Sequence, residues 1–125
     1  MGSRKAQQPL HYDLDVWKES MRLARGIYRV SAAFPESERF GLTAQIRRAA
    51  VSVASNIAEG AGRGSRLEYI RFLRIARGSL MEVDTQLWIA RDLGFASDIA
   101  EIQEGIQKLS AMLGALIASK SRSPQ

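Results

Sequence analysis

The chain has 125 residues, of which 18 are basic and 13 acidic, giving a formal net charge of +5 at pH 7. This length fits one domain with its own core, and the absence of cysteine excludes disulfide frameworks and thiolate metal sites. With one histidine, no apolar run long enough to cross a membrane and no signal-peptide pattern, we expect a cytoplasmic protein without a metal or cofactor.

The basic excess is mostly arginine and is concentrated in the middle of the chain. Fourteen of the 18 basic residues are arginine, a side chain that contacts phosphate in a bidentate manner and stacks on bases. Residues 39–77 contain eight arginines against two glutamates, whereas residues 82–104 contain six acidic residues against one arginine. This polarity is compatible with a phosphate-binding face, or with two protein surfaces that attract each other.

Two helices are predicted in the first half of the chain, where apolar side chains recur at spacings of three and four. The first is predicted to open near Asp13, where either Asp13 or Asp15 can cap the free backbone amides, and to end at Pro35. The second is predicted from Leu42 or Thr43 to Glu59, before a glycine-rich break.

Two further helices are predicted in the second half. The third has the clearest start, because Ser65 and Glu68 form a capping box in which each side chain binds the other residue's backbone amide. It is predicted to run to Leu93 and to stop at Gly94. The fourth is predicted to begin at Ser97.

Four helices joined by loops of roughly three to seven residues predict an all-α, up-down-up-down antiparallel four-helix bundle. We predict a flexible N-terminal arm over residues 1–12, the bundle over residues 13–119 and a disordered tail over residues 120–125.

The sequence offers little for catalysis. The glycine-rich residues 60–65 follow a helix and lack the lysine of a phosphate loop, so a flexible turn is the simpler interpretation. His11 lies in the predicted arm, and Glu82 and Asp84, two residues apart, point about 200° from each other on a helix. We therefore do not expect an enzyme.

Two helices have side chains that a simple bundle does not explain. On the second helix, Ser52 and Asn56 are poor mid-helix choices unless they form hydrogen bonds, so their face is either solvated or part of a polar network. On the third helix, three apolar residues lie away from the core face and predict an oligomer interface. They are Ile70, Met81 and Trp88.

Arginines recur along the first and third helices and beside the third helix N-terminus. Such stripes are usually solvated, but without a recognition motif they also permit sequence-independent phosphate binding. The predicted nucleic-acid-binding residues are Arg22, Arg25, Arg29, Arg63, Arg66, Arg71 and Arg74.

Several motifs together resemble a known family. Residues 45–53 (QIRRAAVSV), 56–60 (NIAEG) and 77–82 are the strongest, and residues 13–17 and 34–42 resemble its opening and first loop. The family is that of the four-helix-bundle proteins named after the 23S rRNA intervening sequence, which includes the accessory protein of diversity-generating retroelements.

The resemblance implies a bacterial four-helix bundle that assembles into a ring, typically a homopentamer. In the retroelement branch, a basic surface of the ring binds nucleic acid and a reverse transcriptase. The resemblance also supports a shared polar cluster, which is an interface, a ligand site or a structural network. Its residues are Arg47, Arg48, Ser52, Asn56, Glu59, Arg77 and Glu82.

The favoured hypothesis is a non-enzymatic, oligomeric protein that binds structured RNA or an RNA–protein complex, or DNA, through arginine-rich surface. The alternative is a protein-interaction scaffold without nucleic-acid binding.

Overall fold

The computed structural model describes residues 8–122 and contains four long helices: α1 (Asp15–Ser31), α2 (Leu42–Ala61), α3 (Arg66–Asp92) and α4 (Ala100–Ser121). Short 3-10 turns precede α1 (Leu10–Asp13) and α2 (Glu36–Glu38). Each helix packs against two others, in the cyclic order α1, α2, α3, α4. Because the loops are short, consecutive helices run antiparallel. The predicted four-helix bundle is confirmed.

The apolar stripes of all four helices meet in one core. Ile27 of α1, Ile46 and Ile57 of α2, Leu80 of α3 and Leu113 of α4 have no solvent exposure. Burial of each such side chain contributes about 1.5–3 kcal/mol relative to exposure. The stripes that predicted the helices are therefore also what holds them together.

The contact between α2 and α3 is the most extensive in the bundle and is built from small residues. Ala50 and Ala76 are fully buried there. Near the C-terminal end of α2, a Cβ atom placed on Gly60 would lie 2.7 Å from the Cβ of Phe72. The two backbones approach so closely that only glycine fits at this position.

The predicted ends of α3 are confirmed, with one difference. Ser65 Oγ accepts a hydrogen bond from the Glu68 amide at 3.2 Å, and Gly94 adopts a φ of 80° after the helix. The Glu68 carboxylate accepts hydrogen bonds from Arg71, so half of the predicted capping box is present and the other half is replaced by an ion pair.

Two helix starts differ from the prediction. The first helix begins at Asp15, because Asp13 belongs to the preceding 3-10 turn. The fourth begins at Ala100, three residues after the predicted Ser97. Ala96 and Ile99 are buried, so the segment before α4 brings two apolar side chains into the core before the helix begins.

The chain ends also differ in detail from the expected boundaries. Residues 10–12, predicted to belong to a flexible arm, form a turn that packs against α1 and α2, with the His11 ring 4.9 Å from that of Trp17. Lys120 and Ser121, predicted to lie in the tail, are the last residues of α4. The rest of the predicted arm and tail, residues 1–7 and 123–125, lies outside the described residues.

Within residues 8–122, none of the helices combines the length and the apolar character that a membrane crossing requires.

Candidate functional site

The polar residues predicted to cluster are divided among several places, and one group joins α2 to α3. Ser52 Oγ lies 2.9 Å from Ser79 Oγ across the helix contact. Asn56 Nδ2 donates to Ser52 Oγ at 2.9 Å and to the Ser52 carbonyl at 2.8 Å. These bonds satisfy polar side chains in mid-helix, so Ser52 and Asn56 form a structural network rather than a solvated face.

Arg47 belongs to a different contact, between α2 and α1. Its Nε donates to Ser31 Oγ at 2.7 Å and its Nη2 to the Tyr28 carbonyl at 3.3 Å. The guanidinium also lies 4.6 Å from the centre of the Tyr28 ring. Arg47 therefore ties the C-terminal end of α1 to α2, and much of its hydrogen-bonding capacity is already used.

The other members of the predicted cluster also separate. Glu59 pairs with Arg63, with Oε2 and Nη2 3.0 Å apart. Arg77 is half-buried and has no hydrogen bond or ion pair with another described residue. Arg48 and Glu82 line an open groove on the outer side of α2. Arg47 and Ser52 line the same groove, so four of the seven predicted residues share it, whereas Asn56, Glu59 and Arg77 are not part of its lining.

This open groove, which we call the Phe40 groove, has a volume of about 1050 Å³. Phe40 at its edge is 87% exposed, and the Arg39 guanidinium lies 5.3 Å from the centre of its ring. On the α3 side, Gln86 Oε1 is buried and accepts no hydrogen bond. An unpaired buried acceptor costs about 1–3 kcal/mol. Neither Phe40 nor Gln86 was singled out from the sequence.

A second groove lies where the N-terminal half of α3 meets the end of α4, and we call it the basic groove. Three of the predicted phosphate-binding residues, Arg66, Arg71 and Arg74, line it, and no acidic residue does within the described chain. Arg66 Nη1 donates to the Lys120 carbonyl at 3.0 Å, which fixes this arginine across the two helices.

Two arginines at or beside the basic groove, Arg63 and Arg71, lie over one aromatic ring, and each pairs with one glutamate. The guanidinium groups of Arg63 and Arg71 lie 4.8 and 4.5 Å from the centre of the Phe72 ring. The hydrogen bonds from Arg71 hold the pKa of the Glu68 carboxyl below its usual value, and the same bonds raise the pKa of Arg71. Arg74 has no such partner among the described residues and is exposed.

The predicted arginines of α1 face a mixed electrostatic environment. Arg22, Arg25 and Arg29 line a groove between α1 and α4 that also contains acidic side chains of α4, Glu101 and Glu104. The buried carboxylate of Glu19 binds Arg22, and Lys108 Nζ lies 3.6 Å from the same carboxylate. The positive potential here is therefore partly neutralised by acids in the lining, whereas the acid nearest the basic groove, Glu68, pairs with Arg71 but does not line that groove.

The predicted oligomer interface needs one correction. Ile70 is only 5% exposed and belongs to the core, because α4 covers this side of α3 near the end of the bundle. Met81 and Trp88 are 43% and 40% exposed, as an interface requires. Further exposed apolar residues, which the sequence reasoning missed, share the side of α3 that faces away from the core; they are Leu67, Ile75, Ile89 and Leu93.

The signal for these residues was available in the sequence. Steps of three, four, seven or eight residues along a helix stay on one of its faces. Such steps, taken one after another from Gly78, lead to every one of these residues, so they lie opposite the core stripe of α3. We call this exposed apolar set, with Met81 and Trp88, the outer face of α3.

Comparison with known proteins agrees with the resemblance that the motifs carry. No curated protein is similar enough to the chain to count as a match. The profile of the 23S rRNA-intervening sequence proteins matches residues 12–115, which include nearly the whole bundle. The chain belongs to the 23S rRNA-intervening sequence protein family.

Proposed function

We propose that this chain is a non-enzymatic nucleic-acid-binding protein that contacts phosphate groups through the basic groove. The observation that carries the proposal is the lining of that groove: Arg66, Arg71 and Arg74 converge there, no acidic residue of the described chain lines it, and Glu68 pairs with Arg71 beside it. Guanidinium groups bind phosphate oxygens in a bidentate manner, and several of them on one surface attract a polyanion.

The arginines contribute differently to this attraction. Arg74 is exposed and has no partner among the described residues, so its full charge is available to a phosphate. Arg71 shares its guanidinium with Glu68, and Arg66 donates from one nitrogen to the Lys120 carbonyl. Contacts of this kind recognise the backbone rather than the base, so the groove is expected to bind without strong sequence preference.

The test is fluorescence anisotropy of a labelled RNA hairpin over a series of salt concentrations. The logarithm of the affinity is expected to fall linearly with the logarithm of the salt concentration, and Arg74→Ala should reduce the slope by about one. Arg25→Ala is the matched control, because Arg25 lies in the mixed groove with Glu101 and Glu104 and should change the slope less. No binding at low salt, or a slope near zero, contradicts the proposal.

A second candidate function, a protein-interaction scaffold, is supported by a different observation. The outer face of α3 exposes six apolar side chains along one helix, and partners commonly cover such patches. A second copy of the chain is one such partner. Because Leu67 and Ile75 belong both to the outer face and to the lining of the basic groove, a subunit that covers the whole face would also cover that groove.

Light scattering of the purified protein tests this second function. If the outer face joins subunits, Trp88→Glu should lower the mass of the assembly because it places a charge in an apolar contact. Leu10→Glu is the control, since Leu10 is also exposed but lies outside α3. An unchanged mass for Trp88→Glu excludes this residue from a self-association interface.

A further inference from the structure

The Phe40 groove combines features that the proposed function does not use. Phe40 is the most exposed large apolar residue of the described chain, and it lies beside the Arg39 guanidinium. An exposed aromatic ring next to an arginine offers a nucleobase a surface for stacking. A base within a continuous duplex is already stacked on its neighbours, so this feature favours an unpaired nucleotide.

Two acceptors on the opposite wall of the groove have no donor within the described chain. Gln86 Oε1 accepts no hydrogen bond, and the Glu82 carboxylate has no ion-pair partner among the described residues. The terminal torsion of a glutamine side chain is soft, so a small rotation presents Oε1 to the groove. Both groups are acceptors, and the exocyclic amino group of adenine or cytosine supplies donors of the kind they lack.

The charge of the groove fits the rest of a nucleotide. Arg48 is exposed and unpaired within residues 8–122, and Arg39 lies at the same edge as Phe40. Arg47, which is bound to α1, adds a third positive charge, against the negative charge of Glu82 in the lining and that of Glu36, which lies 3.6 Å from Arg39. A phosphate directed towards Arg48 leaves the base free to reach Phe40 or the α3 wall. The volume of about 1050 Å³ is large enough for one or two nucleotides.

We infer that the Phe40 groove binds an unpaired nucleotide of single-stranded nucleic acid and prefers bases that carry an exocyclic amino group. The inference rests on the proposed function, since it assigns base recognition to one groove and phosphate attraction to the other. Arg48 holds the phosphate, Phe40 stacks on a base, and Gln86 with Glu82 accepts hydrogen bonds from its amino group.

The experiment compares labelled oligoadenylate and oligouridylate of equal length, because uracil has no exocyclic amino group. The full-length protein is expected to bind oligoadenylate about tenfold more tightly, and Gln86→Leu should remove most of that ratio. Phe40→Ala should weaken binding of both strands by about tenfold through loss of stacking. Because Phe40 is 87% exposed, this variant is expected to fold normally.

Two controls separate this inference from the proposed function. Arg74→Ala should weaken both strands while leaving their ratio unchanged, because Arg74 lies in the basic groove. Gln107→Leu, an exposed glutamine of α4, should change neither affinity.

Several outcomes overturn the inference. Equal affinity for the two strands, a ratio unchanged by Gln86→Leu, or full binding by Phe40→Ala each excludes base recognition in this groove. If Arg74→Ala still weakens binding in that case, the proposed function stands and the inference alone fails. If the unsubstituted protein binds neither strand nor the RNA hairpin, both fail. A change in assembly mass on Phe40→Ala, with unchanged binding, identifies the groove as a subunit contact.

Discussion

The inner and outer sides of α3 show how one helix provides two different surfaces. On the inner side, Leu73, Leu80 and Leu87 have no solvent exposure and pack in the core. On the outer side, Met81 and Trp88 are 43% and 40% exposed, and the Arg91 guanidinium lies 5.1 Å from the centre of the Trp88 ring. The inner side determines the fold of the subunit, whereas the outer side is available to other molecules.

The largest expected change in the free energy of unfolding comes from substituting Leu80 on the inner side, and Met81, the next residue, provides the control on the outer side. Leu80→Ala leaves a cavity in a fully buried position, and should lower the free energy of unfolding by about 2–5 kcal/mol. Met81→Ala, its matched control, should change it by less than about 0.5 kcal/mol because Met81 is exposed. Urea unfolding followed by circular dichroism measures both values.

The opposite result for Met81 would also be informative. If Met81→Ala destabilises the protein nearly as much as Leu80→Ala, and the effect depends on protein concentration, the outer face is buried in an assembly. The inner side of α3 would then be buried within a subunit and the outer side between subunits.

Substitution of two glycines tests the same comparison, with a smaller expected change in the free energy of unfolding. Gly60 packs against α3 so closely that a Cβ would lie 2.7 Å from the Cβ of Phe72, so Gly60→Ala should cost about 1–3 kcal/mol through overpacking. Nothing lies within 4 Å of a Cβ on Gly78. Gly78→Ala should therefore stabilise the protein by about 0.5–1 kcal/mol, the difference in helix propensity.

Thermal unfolding of both variants provides the measurement. A destabilised Gly78→Ala would mean that a neighbouring molecule approaches the outer face too closely for a methyl group. A neutral Gly60→Ala would show that α2 and α3 can separate by a few tenths of an ångström without loss.

Features that depend on neighbouring residues in the sequence could be predicted well. Ser65 and Gly94 bound α3 as expected, since capping and chain reversal involve residues within one helical turn. The apolar spacing also predicted the bundle, because in an antiparallel arrangement each helix has one stripe to bury.

Features that depend on a third helix could not be predicted in the same way. Ile70 shares a side of α3 with Met81 and Trp88, and all three line grooves that α4 also borders, yet Ile70 is 5% exposed whereas the other two are 43% and 40% exposed. The sequence spacing is the same for all three residues. Their difference depends on where α4 lies.

The candidate site also contains features that could be predicted from the sequence and features that depend on the packing of another helix. Arg47 and Arg48 are adjacent in the sequence, but they point about 100° apart on α2, so one reaches α1 and the other a groove. The unpaired acceptor of Gln86 cannot be recognised without knowing the groups around it. The basic groove, in contrast, follows from arginines spaced three to five residues apart on α3.

The smallest expected effect concerns the Glu68–Arg71 ion pair, which is exposed to solvent. Because the Arg71 hydrogen bonds lower the pKa of Glu68 in the folded protein, the stabilisation is present at neutral pH and is lost as the pH falls through that lowered pKa. Carbon-detected NMR titration should give Glu68 a lower pKa than it has in Arg71→Gln. Equal values for Glu68 in the two proteins would show that solvent screens the pair completely, and Arg71 would then be as free as Arg74 to bind phosphate.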